Sequence, residues 1–376
     1  MYDFNEDKEF EEHRKRHAER MERMRKEKEK HELIIKNVKK VAPLVIGLVV
    51  LLVIVGITSG NDSDAKAPET ELVKETEIPV TETELVTETE IVVEEKKYEY
   101  LETEDTINIT TDQVISGNAI LVDVMDGTII ADRGGKERIS PASMTKVLTI
   151  LVAAEHITEE QLDDTFTMTL EITDYSYVND CSCVGFLNDE EIPVRDLFYG
   201  TILPSGADAA VGLATYVAGS HEAFVELMNE KLEELGLSES AHFTNCVGLY
   251  DREHFCTVYD MAVIMNAAMD NEFCREVLTT KYYVTTPTEL HPEGLGISNW
   301  FLRRIEDKDS GGEVIGGKTG YVVQSRSCAV SYGIMDNGRE YICATAGSSS
   351  SKNCINDHVA IYTRYVQEID STDAEQ

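Results

Sequence analysis

The sequence predicts an α/β protein in which an antiparallel sheet is covered by helices, including a helical subdomain, and follows a single transmembrane helix. Residues 119–124 and 128–132 are strand-like runs on either side of Asp126-Gly127, a pattern typical of a β-hairpin. Residues 139–152 form an apolar run that is long enough for a buried helix. Residues 41–57 form a second apolar run, at the short end of the ~17–25 residues that cross a bilayer as a helix.

The composition excludes one broad class of function. The chain has 376 residues, with 34 Lys and Arg against 70 Asp and Glu, so its formal net charge is −36. A protein that binds nucleic acid through general electrostatics needs a basic surface, which this balance does not provide. The hydrophobic content of 42% supports a sizeable folded core.

Shifts in composition divide the chain into four parts. We expect a charged cytoplasmic tail at 1–40, a transmembrane helix at 41–58, an acidic linker rich in Glu and Thr at 59–106, and a globular domain at 107–376. Glu-Thr-Glu recurs in the linker, at Glu69, Glu75, Glu82 and Glu88 among others, and the self-repulsion of these charges favours an extended chain over a packed repeat. Fully stretched at ~3.3 Å per residue, it would reach on the order of 150 Å from a membrane.

The charges beside the apolar run predict its orientation. Lys36, Lys39 and Lys40 precede it, whereas Asp62 and Asp64 follow it. The positive-inside rule therefore places the N-terminus in the cytoplasm and the rest of the chain outside the cell membrane. A cleaved signal peptide is the alternative, since residues 65–67 read Ala-Lys-Ala, a passable cleavage motif.

All eight cysteines fall in the globular domain. An even number of cysteines outside the membrane is compatible with disulfides, for which Cys246 and Cys256 are the best candidate pair, or with free thiols in a reducing habitat. Both alternatives stay open at this point.

Ser143 and Lys146 carry the first chemical motif. They lie three residues apart in the apolar run, so a helix would place them on one face. A serine becomes a nucleophile when a base lies within hydrogen-bond distance, and a lysine can be that base when burial or a nearby cation lowers its pKa. Ser-x-x-Lys also occurs at 63–66 and at 349–352, but neither occurrence lies in a packed helix pattern.

Two further motifs follow in order. Ser205 and Gly206 lie at a break between two helical patterns, and Lys318-Thr319 lies in a strand-like run, 314–323, that is rich in glycine. Glycine within a strand often marks the close approach of a ligand or another backbone. We expect the Lys318 ammonium to lower the pKa of Lys146 and to attract a carboxylate.

Together these segments resemble the serine-type D-Ala-D-Ala carboxypeptidases, also called low-molecular-mass penicillin-binding proteins. The resemblance rests on Pro141-Ala142-Ser143-Met144-Thr145-Lys146, Pro204-Ser205-Gly206-Ala207-Asp208-Ala209-Ala210 and Gly316-Gly317-Lys318-Thr319-Gly320-Tyr321. Phe243-Thr244-Asn245, Gly248-Leu249, His254 and Asp260-Met261-Ala262 are also similar to the family. It implies a β-lactamase/transpeptidase-like fold with Ser143 at a helix start between the layers.

The resemblance also implies roles for the motif residues. Ser143 would attack the penultimate D-Ala carbonyl of a peptidoglycan stem peptide, Lys146 would accept its proton, and Ser205 would relay a proton to the leaving D-Ala. Lys318 and Thr319, with Gly320 and Tyr321 beside them, would bind the substrate. The backbone N–H groups of Ser143 and Tyr321 would form the oxyanion hole. No cofactor or metal is implied, and β-lactam antibiotics would acylate the same serine.

Two departures from the family pattern matter. Ala207 stands where the family usually has an asparagine that orients the substrate, and Ser325-Arg326 follow the third motif where small residues are common. Arg326 is interpreted as an exposed structural residue rather than a contact for the substrate carboxylate. The 56 residues after Gly320 predict closing strands and a helix, and we expect the N-terminal helix to replace the C-terminal anchor of many relatives.

Three alternative functions were weighed against the carboxypeptidase. Ala207 favours a catalytically weak or inactive protein that binds penicillin or the cell wall. A β-lactamase would share two motifs, but no Glu-x-x-Leu-Asn is present. A Ser/His/Asp hydrolase or a zinc enzyme is disfavoured because no His-Glu-x-x-His occurs and because His242 and His254 are interpreted as structural.

Overall fold

The computed structural model describes residues 98–373, with side chains to Val366, and their centre is a six-stranded sheet. Its strands, in chain order, are β1 Leu101–Asn108, β2 Asn118–Asp123, β3 Thr128–Arg133, β8 Gly312–Val322, β9 Arg326–Met335 and β10 Glu340–Ser348. Two small two-stranded sheets pair β4 Thr165–Thr167 with β5 Glu191–Pro193 and β6 Tyr282–Val284 with β7 Gly296–Ser298.

The order of strands in the main sheet is β1-β3-β2-β10-β9-β8. Four of its five strand pairs are antiparallel, as the sequence predicts, but β1 pairs with β3 in parallel. The sheet is therefore mixed rather than purely antiparallel. The β2–β3 pairing confirms the predicted hairpin, and β8 lies at one edge of the described sheet.

The helices cover both faces of this sheet. They are α1 Thr145–Glu155, α2 Leu170–Val178, α3 Val194–Ile202, α4 Ala207–Ala218, α5 His221–Glu234, α6 Val258–Asp270, α7 Glu272–Thr279, α8 Leu302–Ile305 and α9 Ser351–Asp373. Short 3₁₀ helices occupy Ala142–Met144 and Glu160–Asp163. The order of elements confirms the predicted buried helix, the break before α4 and the closing β9, β10 and α9.

Successive side chains of β2 point to opposite faces of the sheet, and each face belongs to a separate hydrophobic cluster. Ile120 and Val122 pack in the larger cluster, which contains most of the buried residues of α1, α4 and α6. Ala119 and Leu121, which point to the opposite face of the strand, pack in a second cluster with residues of α8 and α9. The sheet is thus buried on both faces, and α1 lies within the larger core, which fixes the position of its first turn.

The globular domain begins earlier than the predicted boundary at residue 107. Tyr100 is 3% exposed, and β1 occupies residues that had been interpreted as linker. Most side chains of β1 are exposed, so this strand is held through its backbone pairing with β3, and its acidic composition gives no apolar alternation. The predicted tail and transmembrane segment lie outside the described residues. Within 98–373 no helix has the length and apolarity to cross a membrane.

The eight cysteines are free thiols in the structure, which agrees with the second of the two alternatives, and the candidate Cys246–Cys256 disulfide is not formed. The two residues have different surroundings. The Cys246 thiol donates to the carbonyl oxygen of Ala210 at 3.6 Å, whereas Cys256 pairs through its backbone with Ile139. Both side chains are fully buried, and burial is the main cause that raises the pKa of each thiol.

Candidate active site

Ser143 lies in the 3₁₀ turn that leads into α1, and this turn is strained. The preceding residue, Ala142, has φ +48°, a left-handed conformation that a residue with a side chain rarely adopts. Gly248 packs directly against this turn with φ +86°, and a Cβ built there would lie 1.8 Å from the carbonyl oxygen of Ala142. Only glycine fits at position 248, and its close approach supports the strained turn.

Lys146 and Ser143 form a hydrogen-bonded pair at the start of α1. The Lys146 Nζ atom lies 3.1 Å from Ser143 Oγ and donates to the carbonyl oxygen of Val247 at 2.7 Å. Lys146 is only 2% exposed, and this desolvation lowers its pKa to about 8. A neutral amine that donates one hydrogen to Val247 keeps its lone pair for the serine hydroxyl.

Asn245 builds the loop that presents the Val247 carbonyl group. Its side-chain oxygen accepts hydrogen bonds from the backbone N–H groups of Val247, Gly248 and Leu249 at 2.7–3.2 Å. The Thr149 hydroxyl on α1 donates to the carbonyl oxygen of Cys246 at 2.7 Å, which ties this loop to the helix. The family resemblance had included Asn245 without a role, and the bonds give it one in loop geometry.

His254 holds the same loop from the other side. Its Nδ1 accepts from the backbone N–H of Thr244 at 3.0 Å, so Nε2 carries the proton and donates to Thr145 Oγ1 at 2.9 Å. Burial lowers the pKa of His254 to about 3, and the ring is neutral at ordinary pH. This arrangement agrees with the structural interpretation of His254, since the imidazole links two segments and faces neither serine of the motifs.

Ser205 and Lys318 form a second pair. Lys318 Nζ donates to Ser205 Oγ at 2.9 Å and to the carbonyl oxygen of Thr319 at 2.8 Å, and Lys318 is 2% exposed. Ser205 has φ +63° in the short connection between α3 and α4. A second strained residue therefore occurs at the second motif.

The expectation that Lys318 lowers the pKa of Lys146 needs correction. Burial is the cause that lowers the pKa of Lys146, and nearby Cys181, Cys246 and Asp208 act in the opposite direction. Burial also lowers the pKa of Lys318 well below its usual value, and there the Lys146 ammonium adds to the effect. The structure thus brings the two lysines into electrostatic contact, but desolvation is the larger influence on each.

The remaining third-motif residues line the end of β8. Thr319 is half-buried, Gly320 is buried, and the Tyr321 side chain is 67% exposed. A Cβ on Gly320 would come within 3.0 Å of both Ala142 Cβ and the carbonyl oxygen of Pro141. Glycine at this position therefore allows β8 to pack against the turn that carries Ser143, which gives Gly320 a packing role.

Asp208 organises the loop that follows α2. Its carboxylate, 2% exposed, accepts from the backbone N–H groups of Val184 at 2.9 Å and Gly185 at 3.0 Å, while Ala207 N–H donates to the carbonyl oxygen of Ser182 at 2.8 Å. Sequence reasoning gave Asp208 no role, because its partners are backbone groups more than twenty residues away. Ala207 is fully buried and offers only a methyl group.

Arg326 and Lys352 are two further basic residues that take part in neither serine–lysine pair. Arg326 is exposed with φ +55°, where the chain turns from β8 into β9. Lys352 is exposed in the first turn of α9, so the Ser349–Lys352 match is not a packed pair like Ser143–Lys146. Within the described part of the chain, no group of three His, Cys, Asp or Glu side chains is arranged to hold a metal ion.

A serine paired with a buried lysine of lowered pKa, beside a second serine–lysine pair, can perform acyl transfer through a serine ester. Fold and site together define the class of active-site serine enzymes with Ser-x-x-Lys. A family model described as D-alanyl-D-alanine carboxypeptidase matches residues 105–348. The chain belongs to this family of serine peptidases.

Individual relatives agree with this assignment. The chain is 28% identical over 235 residues to the D-alanyl-D-alanine carboxypeptidase DacF of Bacillus subtilis, an alignment that covers 62% of this chain and 58% of the relative. It is 35% identical over 152 residues to DacC of Escherichia coli, covering 39% and 38% of the two chains. The chain therefore spans less than two thirds of the length of these curated relatives.

Solved structures share the fold. The Streptomyces K15 DD-transpeptidase has a TM-score of 0.63 and 25% sequence identity, and the match covers 69% of this chain and all of that one. A D-alanyl-D-alanine carboxypeptidase from Mycobacterium tuberculosis has a TM-score of 0.60 and 26% identity, covering 71% of this chain and 96% of that one.

Proposed function

We propose that this protein removes the terminal D-Ala from peptidoglycan pentapeptide stems through an acyl-enzyme on Ser143. The observation that carries the proposal is the presence of two serine–lysine pairs, Ser143–Lys146 at 3.1 Å and Ser205–Lys318 at 2.9 Å, in which both lysines are buried. Membership of the D-alanyl-D-alanine carboxypeptidase family supports the substrate class.

Acylation starts with the neutral Lys146 amine. Its lone pair accepts the proton of the Ser143 hydroxyl as Oγ attacks the carbonyl carbon of the penultimate D-Ala. The negative charge that develops on the carbonyl oxygen is stabilised by backbone N–H groups, for which those of Ser143 and Tyr321 are the candidates by resemblance to the family.

Ser205 and Lys318 act on the leaving side. Collapse of the tetrahedral intermediate breaks the peptide bond, and the departing D-Ala nitrogen takes a proton through the Ser205 hydroxyl. The Lys318 ammonium and the Thr319 hydroxyl bind the terminal carboxylate, an interaction strengthened by exclusion of water. Water then hydrolyses the Ser143 ester, so the products are free D-Ala and a shortened stem. A β-lactam would acylate Ser143 in the same way.

Release of D-Ala from a synthetic pentapeptide, with labelling by a fluorescent penicillin, tests this function. The wild-type protein should do both, and Ser143→Ala should do neither. Ser349→Ala is the matched control because Ser349 begins the other Ser-x-x-Lys match in the globular domain, and this variant should behave as wild type. Persistent labelling of Ser143→Ala would contradict the assignment of the nucleophile.

The second candidate is a penicillin-binding protein with weak or no turnover. The buried methyl group of Ala207 favours it, because the family's asparagine would add an amide at this position. Penicillin labelling without D-Ala release would support this candidate over the carboxypeptidase. A β-lactamase is the third candidate. It would be identified by rapid loss of the penicillin label as the acyl-enzyme is hydrolysed.

We also propose that residues 41–58 anchor the protein as a single transmembrane helix, with the N-terminus in the cytoplasm and the enzyme domain outside. The apolar run and its flanking lysines support this topology. Protease added to intact cells should degrade the globular domain, and the residues before 41 should stay protected. Release of the domain as a soluble protein would favour the cleaved signal peptide.

A further inference from the structure

A cavity of about 390 Å³ opens beside the segment that carries Ser143. Its wall includes Ser140, three residues before Ser143, so this part of the wall lies within about 10 Å of Ser143 at the ~3.3 Å per residue of an extended chain. Gln324 and Ser325, just beyond β8, also line it. None of the lining residues belongs to the three motifs.

Two guanidinium groups give this cavity its charge. Arg138 and Arg252 line it with Tyr250, and Asp251 is the sole acidic residue among the described lining residues. The Arg138 guanidinium lies over the Phe255 ring, and neither arginine forms an ion pair with a described carboxylate.

Ion pairs are found for some basic residues of the described domain, and Arg138 and Arg252 are not among them. Residues 107–376 carry 17 basic and 43 acidic side chains, so acidic partners are abundant. Lys136, Lys231 and Arg339, for example, each lie within ion-pair distance of a carboxylate. Arg326, which also has no ion pair with a described carboxylate, directly follows Ser325 of the cavity wall. Two arginines without a described carboxylate partner therefore line a cavity beside the segment that carries Ser143, in a domain whose net charge is acidic.

We propose that this cavity binds a carboxylate-bearing residue of the acyl-donor peptide, on the N-terminal side of the bond that is cut. The proposal rests on the proposed function. A carboxypeptidase releases a single residue on the leaving side, which is too short to reach a cavity several residues away. Only the acyl side of the substrate extends that far, and a planar guanidinium pairs well with a carboxylate.

Peptide binding to the Ser143→Ala protein tests the subsite without any turnover. Two synthetic peptides ending in D-Ala-D-Ala are compared, one with a free carboxylate two residues before the scissile bond and one with the corresponding amide. We expect the full-length Ser143→Ala protein to bind the carboxylate peptide about tenfold more tightly in low salt, a ratio that corresponds to 1.4 kcal/mol. The ratio should fall at 1 M salt because exposed charges are screened.

Substitutions of the cavity residues, made in the Ser143→Ala protein, test which side chains bind the carboxylate. Adding Arg138→Ala and Arg252→Ala should bring the ratio of the two dissociation constants to about one, whereas Asp251→Asn should increase it. Lys308→Ala is the matched control, since it removes a cation that has no ion pair with a described carboxylate and does not line the cavity, and the ratio should stay about tenfold. Both arginines are exposed, so their loss should leave the thermal unfolding temperature unchanged.

Two results would overturn the subsite: equal binding of both peptides by the Ser143→Ala protein, or a preference that survives removal of both arginines. Failure of the proposed function has a different signature, because it would abolish D-Ala release and penicillin labelling by the wild-type protein. These readouts do not involve the ratio of peptide affinities in the Ser143→Ala protein.

Discussion

The acylation of Ser143 should follow the titration of Lys146, and pH is the perturbation that tests this. Burial lowers the pKa of Lys146 to about 8, so about 9% of the amine is neutral at pH 7. At the ordinary pKa of about 10.4 the neutral fraction at pH 7 would be about 0.04%. The lowered pKa, of which burial is the cause, therefore supplies roughly 200-fold more of the neutral amine at pH 7.

The assay is the second-order rate constant for labelling by a fluorescent penicillin between pH 5.5 and 10. We expect it to rise about tenfold per pH unit below pH 7, to bend near pH 8 and to become flat above pH 9, since the neutral amine then predominates. Asp208→Asn should move the midpoint to lower pH, because the Asp208 carboxylate raises the pKa of Lys146.

Lys146→Arg is the control for the chemistry. Arginine keeps a positive charge but is not deprotonated in proteins, so the variant should lose acylation at every pH tested. A wild-type rate that continued to rise to pH 10, with a midpoint near that of free lysine, would refute the argument that burial activates the base. A rate independent of pH below 7 would refute the assignment of Lys146 as the base.

Three further changes have expected outcomes. Ala207→Asn should raise the penicillin acylation rate about two- to tenfold, because the added amide should form one hydrogen bond with the substrate. An unchanged rate in stopped-flow measurements would show that the family's asparagine is not needed here. Gly248→Ala should lower both folding stability and acylation, because its Cβ would collide with the carbonyl oxygen of Ala142; wild-type values in thermal melts and labelling would contradict this. Folding stability should fall by about 2 kcal/mol per buried histidine between pH 7 and 5, for His254 and for His358, a buried residue of α9 within hydrogen-bond distance of Ser331 and Thr345. Both histidines have pKa values of about 3 in the fold and about 6.5 when unfolded, so the unfolded chain binds protons that the folded chain does not. Denaturant titrations should show a weaker dependence over this pH range for His358→Gln, and an unchanged slope would contradict the assignment.

Sequence patterns predicted those strands and helices whose side chains are buried on one face or on all sides. The hairpin of β2 and β3 and the helix α1 follow from apolar runs, and both occur as expected. The strand β1 was missed because an exposed edge strand held by backbone hydrogen bonds leaves no hydrophobic alternation. Its parallel pairing with β3 is a property of chain topology, which local patterns do not encode.

The residues of the candidate site also fall into those that the sequence predicted and those that it did not. The resemblance of the three motifs to the family predicted that Ser143, Lys146, Ser205 and Lys318 share one site, and the structure pairs Ser143 with Lys146 and Ser205 with Lys318. The residues that position them were not predicted to do so, since Asn245 and Asp208 act on backbone groups, and a backbone acceptor such as Val247 has no sequence signature. Likewise, the degree to which burial lowers a lysine pKa depends on packing around the whole side chain.

Strain at the two serine motifs connects the fold to the proposed chemistry. Ala142 and Ser205 both have positive φ angles, which cost on the order of 1–3 kcal/mol each for residues other than glycine. Such conformations persist only when the surroundings fix them. Around Ala142 that fixing comes from Gly248 and Gly320, whose missing side chains let two segments close on the turn from different sides. Lys146 is buried beside this turn and donates to the carbonyl oxygen of Val247, the residue before Gly248, and burial lowers its pKa to about 8. A side chain at position 248 should therefore disturb the turn that carries Ser143 and the loop that binds Lys146 together, which distinguishes this site from one in which position and pKa are set by separate residues.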